Sequence, residues 1–240
     1  MEMIDLSRLE PQGTLNHTSK GNQLKWKCYG YWYKAGHMGY EGLAETIVSA
    51  LLGKSTVKYP FVAYEYSQIK YKERIYRGCK SADFLADGYD LIPLEKLYRK
   101  FTGGSLAVDT AHQGEITDQI KFLVNFVEQT TGLQEFGRYL TSMLEIDAFF
   151  LNEDRHTNNI AVQYNAADNT YALCPLFDNG LSLLADTNMD FPLERSLEDC
   201  LKAVQVPSNR SDARFLLSPP SHTQNDAHIY IQKRSSYLPS

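Results

Sequence analysis

Three oxygen-bearing side chains in the second half of the sequence have the types and spacing needed to hold a hydroxyl group and a metal ion. Asp154 and Asn159 lie five positions apart, directly after a long apolar segment, and Asp178 follows 24 positions after Asp154. Phosphoryl transfer needs a carboxylate near the attacking hydroxyl and metal ions that neutralise phosphate charge, and Mg²⁺ prefers oxygen ligands. The set therefore indicates phosphoryl transfer, with one loop acid beside the hydroxyl and an Asn and a second Asp on the metal ion.

The elements around these residues can bring them together. Residues 133–150 predict a helix that ends just before the polar turn at 151–159. Two short β runs, 160–163 and 171–174, are joined by a turn-rich segment and predict a hairpin. This hairpin returns the chain so that Asp178 can face the loop, and Gly180 allows a tight turn beside it.

The first third of the chain supplies a candidate cation. Residues 23–33 are aromatic and predict a strand that Lys34 closes, with a turn at 19–22 before it. Residues 41–52 carry apolar side chains at helical spacing and predict a helix. Residues 61–66 and 74–76 predict further strands, and 77–81 a linker.

The second part of the chain predicts mainly helix, over residues 94–101, 116–131, 133–150 and 194–204. The organisation is therefore α+β, with a β-rich lobe at 1–80 and a helical lobe with the catalytic loop at 81–206. Residues 207–240 are rich in Ser, Pro, Asn, His and Gln, and predict a poorly ordered tail.

Composition excludes several classes. The net charge of −5 does not favour a nucleic-acid partner, and 43% hydrophobic residues are ordinary for a globular protein. The four cysteines form no C-x-x-C pair, which argues against a zinc site and against a disulfide scaffold. No signal-peptide or membrane-spanning pattern is visible, so we expect a cytoplasmic protein with no membrane partner.

The two acidic motifs resemble a known family. The Asp-to-Asn spacing of five followed by Asp178-Asn179-Gly180 matches the kinase pattern of a catalytic loop and a metal-binding Asp-x-Gly. The segment 154–159 (DRHTNN) is similar to the catalytic loop of phosphoinositide lipid kinases. Over residues 26–206 the sequence resembles the HipA-like serine/threonine kinases, which are distant relatives of those lipid kinases.

The resemblance implies a bilobal protein-kinase-like fold, with a small antiparallel sheet in the N-terminal lobe, and it implies ATP and Mg²⁺ as cofactors. Asp154 would be the catalytic base, Asn159 and Asp178 would bind Mg²⁺, and Lys34 would contact the ATP phosphates. A helix carboxylate should pair with Lys34. Glu45 is favoured because it lies deeper in the helix, and Glu41, one turn away, is the other candidate.

Further residues follow from the resemblance. His156 would structure the loop or touch the phosphates. The turn at 19–22, with Ser19, Gly21 and Asn22, is the candidate phosphate-covering turn, although it lacks the usual glycine pattern. Residues 77–81, which include Cys79, would form the hinge near the adenine.

Alternative interpretations remain. The loop acids can be ordinary turn residues, and Lys34 a solvated strand end. The aromatic residues could stack on bases, but strand packing explains them better; they are Trp26, Tyr29, Tyr31, Trp32 and Tyr33. The acceptor is either a protein Ser or Thr, or a lipid or small molecule. A truncated, non-catalytic nucleotide-binding module and a metal-dependent hydrolase using His156 are the other candidates.

Overall fold

The structure is a computed structural model that describes residues 3–12 and 23–204. The described residues form eight strands and six helices. In chain order these are β1 (Met3–Asp5), β2 (Lys25–Cys28), β3 (Tyr31–Ala35), α1 (Glu41–Leu52), β4 (Glu65–Tyr71), β5 (Arg74–Ala82), β6 (Tyr89–Pro93), α2 (Leu94–Thr102), α3 (Leu106–Ala111), α4 (Ile116–Thr131), α5 (Phe136–Phe150), β7 (Ala161–Asn165), β8 (Thr170–Leu173) and α6 (Leu197–Ala203).

The chain divides into two compact units. The first comprises the residues up to Phe84, together with Phe150–Asn152 and Leu176–Cys200. The second comprises Leu85–Phe149, Glu153–Pro175 and the residues from Leu201 onward. The segment that carries Asp178 therefore belongs to the first unit, with Lys34, whereas Asp154 and Asn159 belong to the second.

The first unit is built on a five-stranded sheet in the order β1-β4-β5-β3-β2. The strands pair antiparallel, as expected, except at one edge of the sheet, where β1 pairs in parallel with β4. One side of the sheet carries a core in which the Trp26 and Tyr71 rings lie 5.1 Å apart. Strand packing thus accounts for the buried aromatic residues Trp26 and Tyr33.

The prediction of a single strand over residues 23–33 is wrong, because two strands, β2 and β3, occupy this segment. Strands β2 and β3 pair antiparallel, with Cys28 opposite Tyr31, so the two residues between them form a tight hairpin turn. Tyr29 and Gly30 both have positive φ, 51° and 78°, as the turn type that suits the twist of paired strands requires. Tyr29 is a poor turn former, so the sequence did not mark this position as a turn.

Helix α1 has the predicted bounds and lies close against the sheet. Gly42 faces Gly78 of β5, and a Cβ on Gly42 would come 2.4 Å from the carbonyl carbon of Gly78. Any larger residue at Gly42 would push the helix away from the strand. This close approach brings the next helical turn, which carries Glu45, over the sheet face that contains Lys34.

Two more predictions in this unit are corrected. Residues 77–81 are not a linker, because they lie inside β5, a strand of nine residues. The predicted strand over 61–66 is mostly extended chain, with a single bridge from Phe61 to Leu176, and β4 begins only at Glu65. Both errors arise because strands in a sheet are fixed by pairing with distant partners, which a local pattern does not show.

The second unit is mainly helical. Helix α4 has the predicted bounds, and α2 and α5 match the predicted helices to within three residues. Strands β7 and β8 form the predicted hairpin, and β6, which the sequence reading missed, adds to β7 as a third strand. The fully buried side chains that hold this unit together include Leu94, Leu97, Leu106, Leu123, Phe136, Tyr139, Leu140, Met143 and Ile160.

Two further observations concern the described range. The turn at 19–22 and the tail at 207–240 lie outside the described residues, so their predictions stay untested. Among residues 3–12 and 23–204, no helix is both long enough and apolar enough to cross a membrane.

Candidate active site

A buried cluster of three charged side chains lies in the first unit. The Lys34 ammonium Nζ lies 2.7 Å from Oε1 of Glu45 and 2.8 Å from Oδ1 of Asp178. The other Glu45 oxygen, Oε2, accepts a hydrogen bond of 2.9 Å from the backbone amide of Asn179. Glu45 therefore binds both the strand that carries Lys34 and the segment that carries Asp178.

The carboxylates determine the charge state of Lys34. Burial by itself lowers the pKa of a lysine, but the negative charges of Asp178 and Glu45 outweigh it and raise the pKa of Lys34 well above its ordinary value. The Lys34 ammonium also lies 5.0 Å from the centroid of the Tyr64 ring. Lys34 is consequently a fixed positive charge at neutral pH.

The backbone of Asp178 adopts a left-handed conformation. Its φ of 64° lies in the left-handed region, which costs a non-glycine residue about 1–2 kcal/mol. Such backbone strain is often found at functional positions. The Asp178 side chain is 18% exposed, so part of it reaches the surface while its carboxylate contacts Lys34.

Glu41, the second candidate partner of Lys34, has a different role. Its carboxylate accepts hydrogen bonds from the backbone amides of His37 and Gly39, at 2.8 and 2.9 Å, and from that of Met38. These bonds order the loop between β3 and α1, and the acid at the first turn also suits the positive end of the helix dipole. Of the two candidates, the structure brings Glu45 to Lys34.

Cys79 lies in the middle of β5, directly opposite Lys34, and its side chain is fully buried. It packs with Val62 and Tyr64, and the partly buried Phe84 and Phe177 lie against this cluster. Residues 77–81 are strand and not a linker, and their place near the adenine stays a prediction. A nucleotide contact of Cys79 stays a prediction.

The predicted loop residues come together in the second unit. The side-chain amide Nδ2 of Asn159 donates to the backbone carbonyl of Asp154 at 2.8 Å and to Oδ2 of Asp154 at 3.2 Å. His156 lies beside them, with Nε2 3.8 Å from the same Asp154 oxygen and Nδ1 accepting from the amide of Asn158 at 3.2 Å. These contacts hold the Asn159 side chain against Asp154.

Two residues of this loop point inward and hold it. The Arg155 guanidinium makes two bonds of 2.9 Å to the Asp147 carboxylate in α5, and a third, of 3.0 Å, to the carbonyl of Asn159. Both side chains of this ion pair are buried, at 3% and 7% exposure. These bonds hold the loop that carries Asp154 and Asn159 against α5.

Thr157 provides the second anchor. Its hydroxyl donates to Oε2 of Glu95 in α2 at 3.0 Å, and the same oxygen accepts from the amide of Ala107 at 3.1 Å. Sequence reasoning missed Asp147, Arg155, Glu95 and Thr157 as positioning residues. One signal was available, because Asp147 is an acid that lies directly between Ile146 and Ala148 in α5.

The donors fit a magnesium ion better than a protein-only metal centre. Among the described residues, no group of three or more His, Cys, Asp or Glu side chains could hold a metal ion. Mg²⁺ usually takes one or two protein oxygen ligands and completes its shell with phosphates and water. Few protein oxygens therefore suffice for Mg²⁺ where phosphates and water complete its shell.

The comparisons with known proteins identify the class of fold. No family model matches the sequence, and no curated protein matches it. The crystal structure of a Helicobacter pylori proinflammatory kinase, CtkA, is similar, with a TM-score of 0.52 and 16% sequence identity. The match covers 76% of this chain and 61% of CtkA, so the chain spans less than two thirds of that protein.

The chain therefore has a kinase-like α+β fold, and the predicted fold class is confirmed. At this level of identity the similarity shows the fold alone. The HipA-like family stays a prediction from the motifs.

Proposed function

We propose that this protein is an ATP- and Mg²⁺-dependent phosphotransferase that phosphorylates a Ser or Thr hydroxyl of a protein, as the resemblance to HipA-like kinases implies. One observation carries the proposal. Lys34, Glu45 and Asp178 come from three distant segments and form one buried cluster, in a chain whose fold is kinase-like. A lysine held by a helix acid beside a metal-binding Asp is the arrangement that phosphoryl transfer needs.

Each group has a defined task in this proposal. Lys34 binds the phosphate oxygens, and Glu45 holds its ammonium in place. Asp154, with a side chain 24% exposed, accepts the hydrogen bond of the acceptor hydroxyl and orients it. Asn159 and Asp178 would hold Mg²⁺, which supplies charge neutralisation for the transferring group.

The test is the release of ADP from MgATP by the intact chain with a generic Ser/Thr protein acceptor. Asp154→Ala and Asp178→Ala should each lower turnover by at least about 100-fold, which is the usual scale for losing a catalytic acid or base. Asp168→Ala is the matched control, because Asp168 lies in the exposed β7–β8 turn and bonds only locally to Thr170. Equal turnover in all three variants would refute the assignment.

The metal assignment has its own measurement. Asn159→Ala and Asp178→Ala should both raise the Mg²⁺ concentration needed for half-maximal turnover, because the proposal requires both residues to act on one cation. Phosphate transfer to lipid vesicles but not to proteins would favour a lipid kinase. ATP binding without any turnover would favour the non-catalytic module.

A further inference from the structure

Lys25 lies directly opposite Lys34 in the first unit. The register of the β2–β3 pair places these two residues across from each other. Opposed residues in an antiparallel pair point to the same face, with Cβ atoms about 4.5–5.5 Å apart. The Lys25 side chain therefore starts on the same sheet face as the ammonium that Glu45 and Asp178 bind.

The row continues across a third strand. Cys79 of β5 lies opposite Lys34 on its other side, so Lys25, Lys34 and Cys79 are consecutive in one row of side chains. Burial is the main cause that raises the pKa of the Cys79 thiol, and the positive charges of Lys34 and Lys25 oppose the rise. The Lys25 charge thus acts on this face of the sheet.

The position of Lys25 is fixed along both sides of its strand. The backbone amide of Gln12 donates to the carbonyl of Lys25 at 2.6 Å, and β3 pairs with the other side of β2. The start of the Lys25 side chain is therefore set by the fold, before any ligand binds.

The neighbouring lysines differ from Lys25 in their partners. Lys34 has two carboxylates, and Lys27, two positions along β2, lies 2.6 Å from Asp83. Within the part of the chain that the structure describes, no carboxylate pairs with Lys25. Lys25 can therefore contact an anion without giving up a carboxylate partner among the described residues.

The charge of the Lys34 cluster points to the same conclusion. Lys34 contributes one positive charge, whereas Glu45 and Asp178 contribute two negative charges, so the cluster is net negative by one. Without a ligand, the charge of Lys25 on the same face offsets this net charge. When Mg²⁺ binds Asp178, as proposed above, its two positive charges leave Lys25 and Lys34 facing a ligand, and a polyphosphate supplies several negative charges to balance them.

We propose that Lys25 is a second phosphate-binding residue, whose ammonium contacts the polyphosphate chain of a nucleoside triphosphate beside Lys34. The inference rests on the proposed function, since it assumes that Lys34 binds phosphate. It adds a residue to the site and defines the ligand as one with a polyphosphate chain that spans two lysines.

The experiment is calorimetric titration of the intact chain with MgATP and, separately, with inorganic tripolyphosphate. Lys25→Met should weaken the binding of both ligands about tenfold, as expected for the loss of one charge-assisted hydrogen bond. Lys25→Arg should retain most of the affinity, because it keeps the charge. The matched control is Lys27→Met, in the same strand and on the same face, which should change either affinity less than about twofold because Asp83 already pairs with Lys27.

The outcomes separate the two proposals. If Lys34→Met weakens binding while Lys25→Met binds both ligands as tightly as the wild type, the inference is wrong and the proposed function survives. If the wild-type chain binds neither ligand, both proposals fail. A thermal melt of each variant shows that it is folded, and a loss of affinity with an unchanged melting temperature supports the inference.

Discussion

The ammonium of Lys34 lies 2.7 Å from a carboxylate oxygen of Glu45, eleven residues further along the chain, and the Glu45 side chain is only 1% exposed. The pair depends on the close contact of α1 with β5 at Gly42 and Gly78. Because Glu45 also accepts the amide of Asn179, it connects the strand, the helix and the Asp178 segment. The stability of the first unit and its proposed chemistry thus depend on one carboxylate.

Glu45→Gln should lower the free energy of unfolding by about 3 kcal/mol, because it removes one of the two carboxylate charges that pair with the buried Lys34 ammonium. Urea denaturation measures this change. The control is Glu65→Gln, since Glu65 is 72% exposed and 3.5 Å from Lys80, and its loss should cost less than about 0.5 kcal/mol.

The pH dependence of that difference follows from Lys34. Its pKa is raised in the folded state, so its contribution to stability is fully present below the unfolded pKa and is lost only as the pH rises through the folded value. The difference between wild type and Glu45→Gln should therefore be constant between about pH 6 and pH 9. A difference that disappears by about pH 8 would contradict the buried ion pair.

Arg155→Lys should lower turnover about 100-fold and change nucleotide affinity by less than about threefold, because a lysine cannot reproduce the two-pronged contact that holds the loop. The measurements are kcat and the Kd for MgATP. Arg138→Lys is the control, since Arg138 is exposed and 3.9 Å from Glu135. An equal loss of affinity and turnover would place Arg155 at the nucleotide instead.

Tyr29→Asn should stabilise the β2–β3 hairpin by about 0.5–1 kcal/mol, because asparagine tolerates the positive φ of this position better than tyrosine does. Tyr29 is 90% exposed, so the change removes no packing. Gly30→Ala should cost about 1 kcal/mol for conformational reasons alone, because nothing lies within 4 Å of the added Cβ. Thermal melts of both variants test this turn conformation. A higher melting temperature for Gly30→Ala would contradict the positive φ of Gly30.

The cysteines should differ sharply in reactivity toward a thiol reagent at about pH 8, since the thiolate is the reactive form. Cys28 is partly exposed, whereas Cys79, Cys174 and Cys200 are buried. Burial raises the pKa of Cys174 to about 12, and it also raises the pKa of Cys79. We expect Cys28 to react first and all four only in denaturant; labelling of Cys79 as fast as Cys28 would contradict the packing of β5.

Local patterns in the sequence determined several elements of this protein. Helices α1 and α4 have their predicted bounds because their apolar side chains repeat with the period of a helix. The β7–β8 hairpin was predictable for a similar reason, from alternation around a turn-rich segment. Residue types and spacing also singled out Lys34, Asp178, Asp154 and Asn159, which the structure places in two clusters, one in each unit.

Only the tertiary structure decided which groups hold those residues. Glu41 and Glu45 are both candidate acids on one helix, and their depth in the helix only favours Glu45. The contact of α1 with β5 brings Glu45 to Lys34, while Glu41 binds the preceding loop. The partners of Asp147 and Glu95 likewise could not be predicted, because each binds a loop residue through packing between separate elements. Periodicity reports which face of an element is buried, whereas the partner of a buried polar group depends on how distant elements pack.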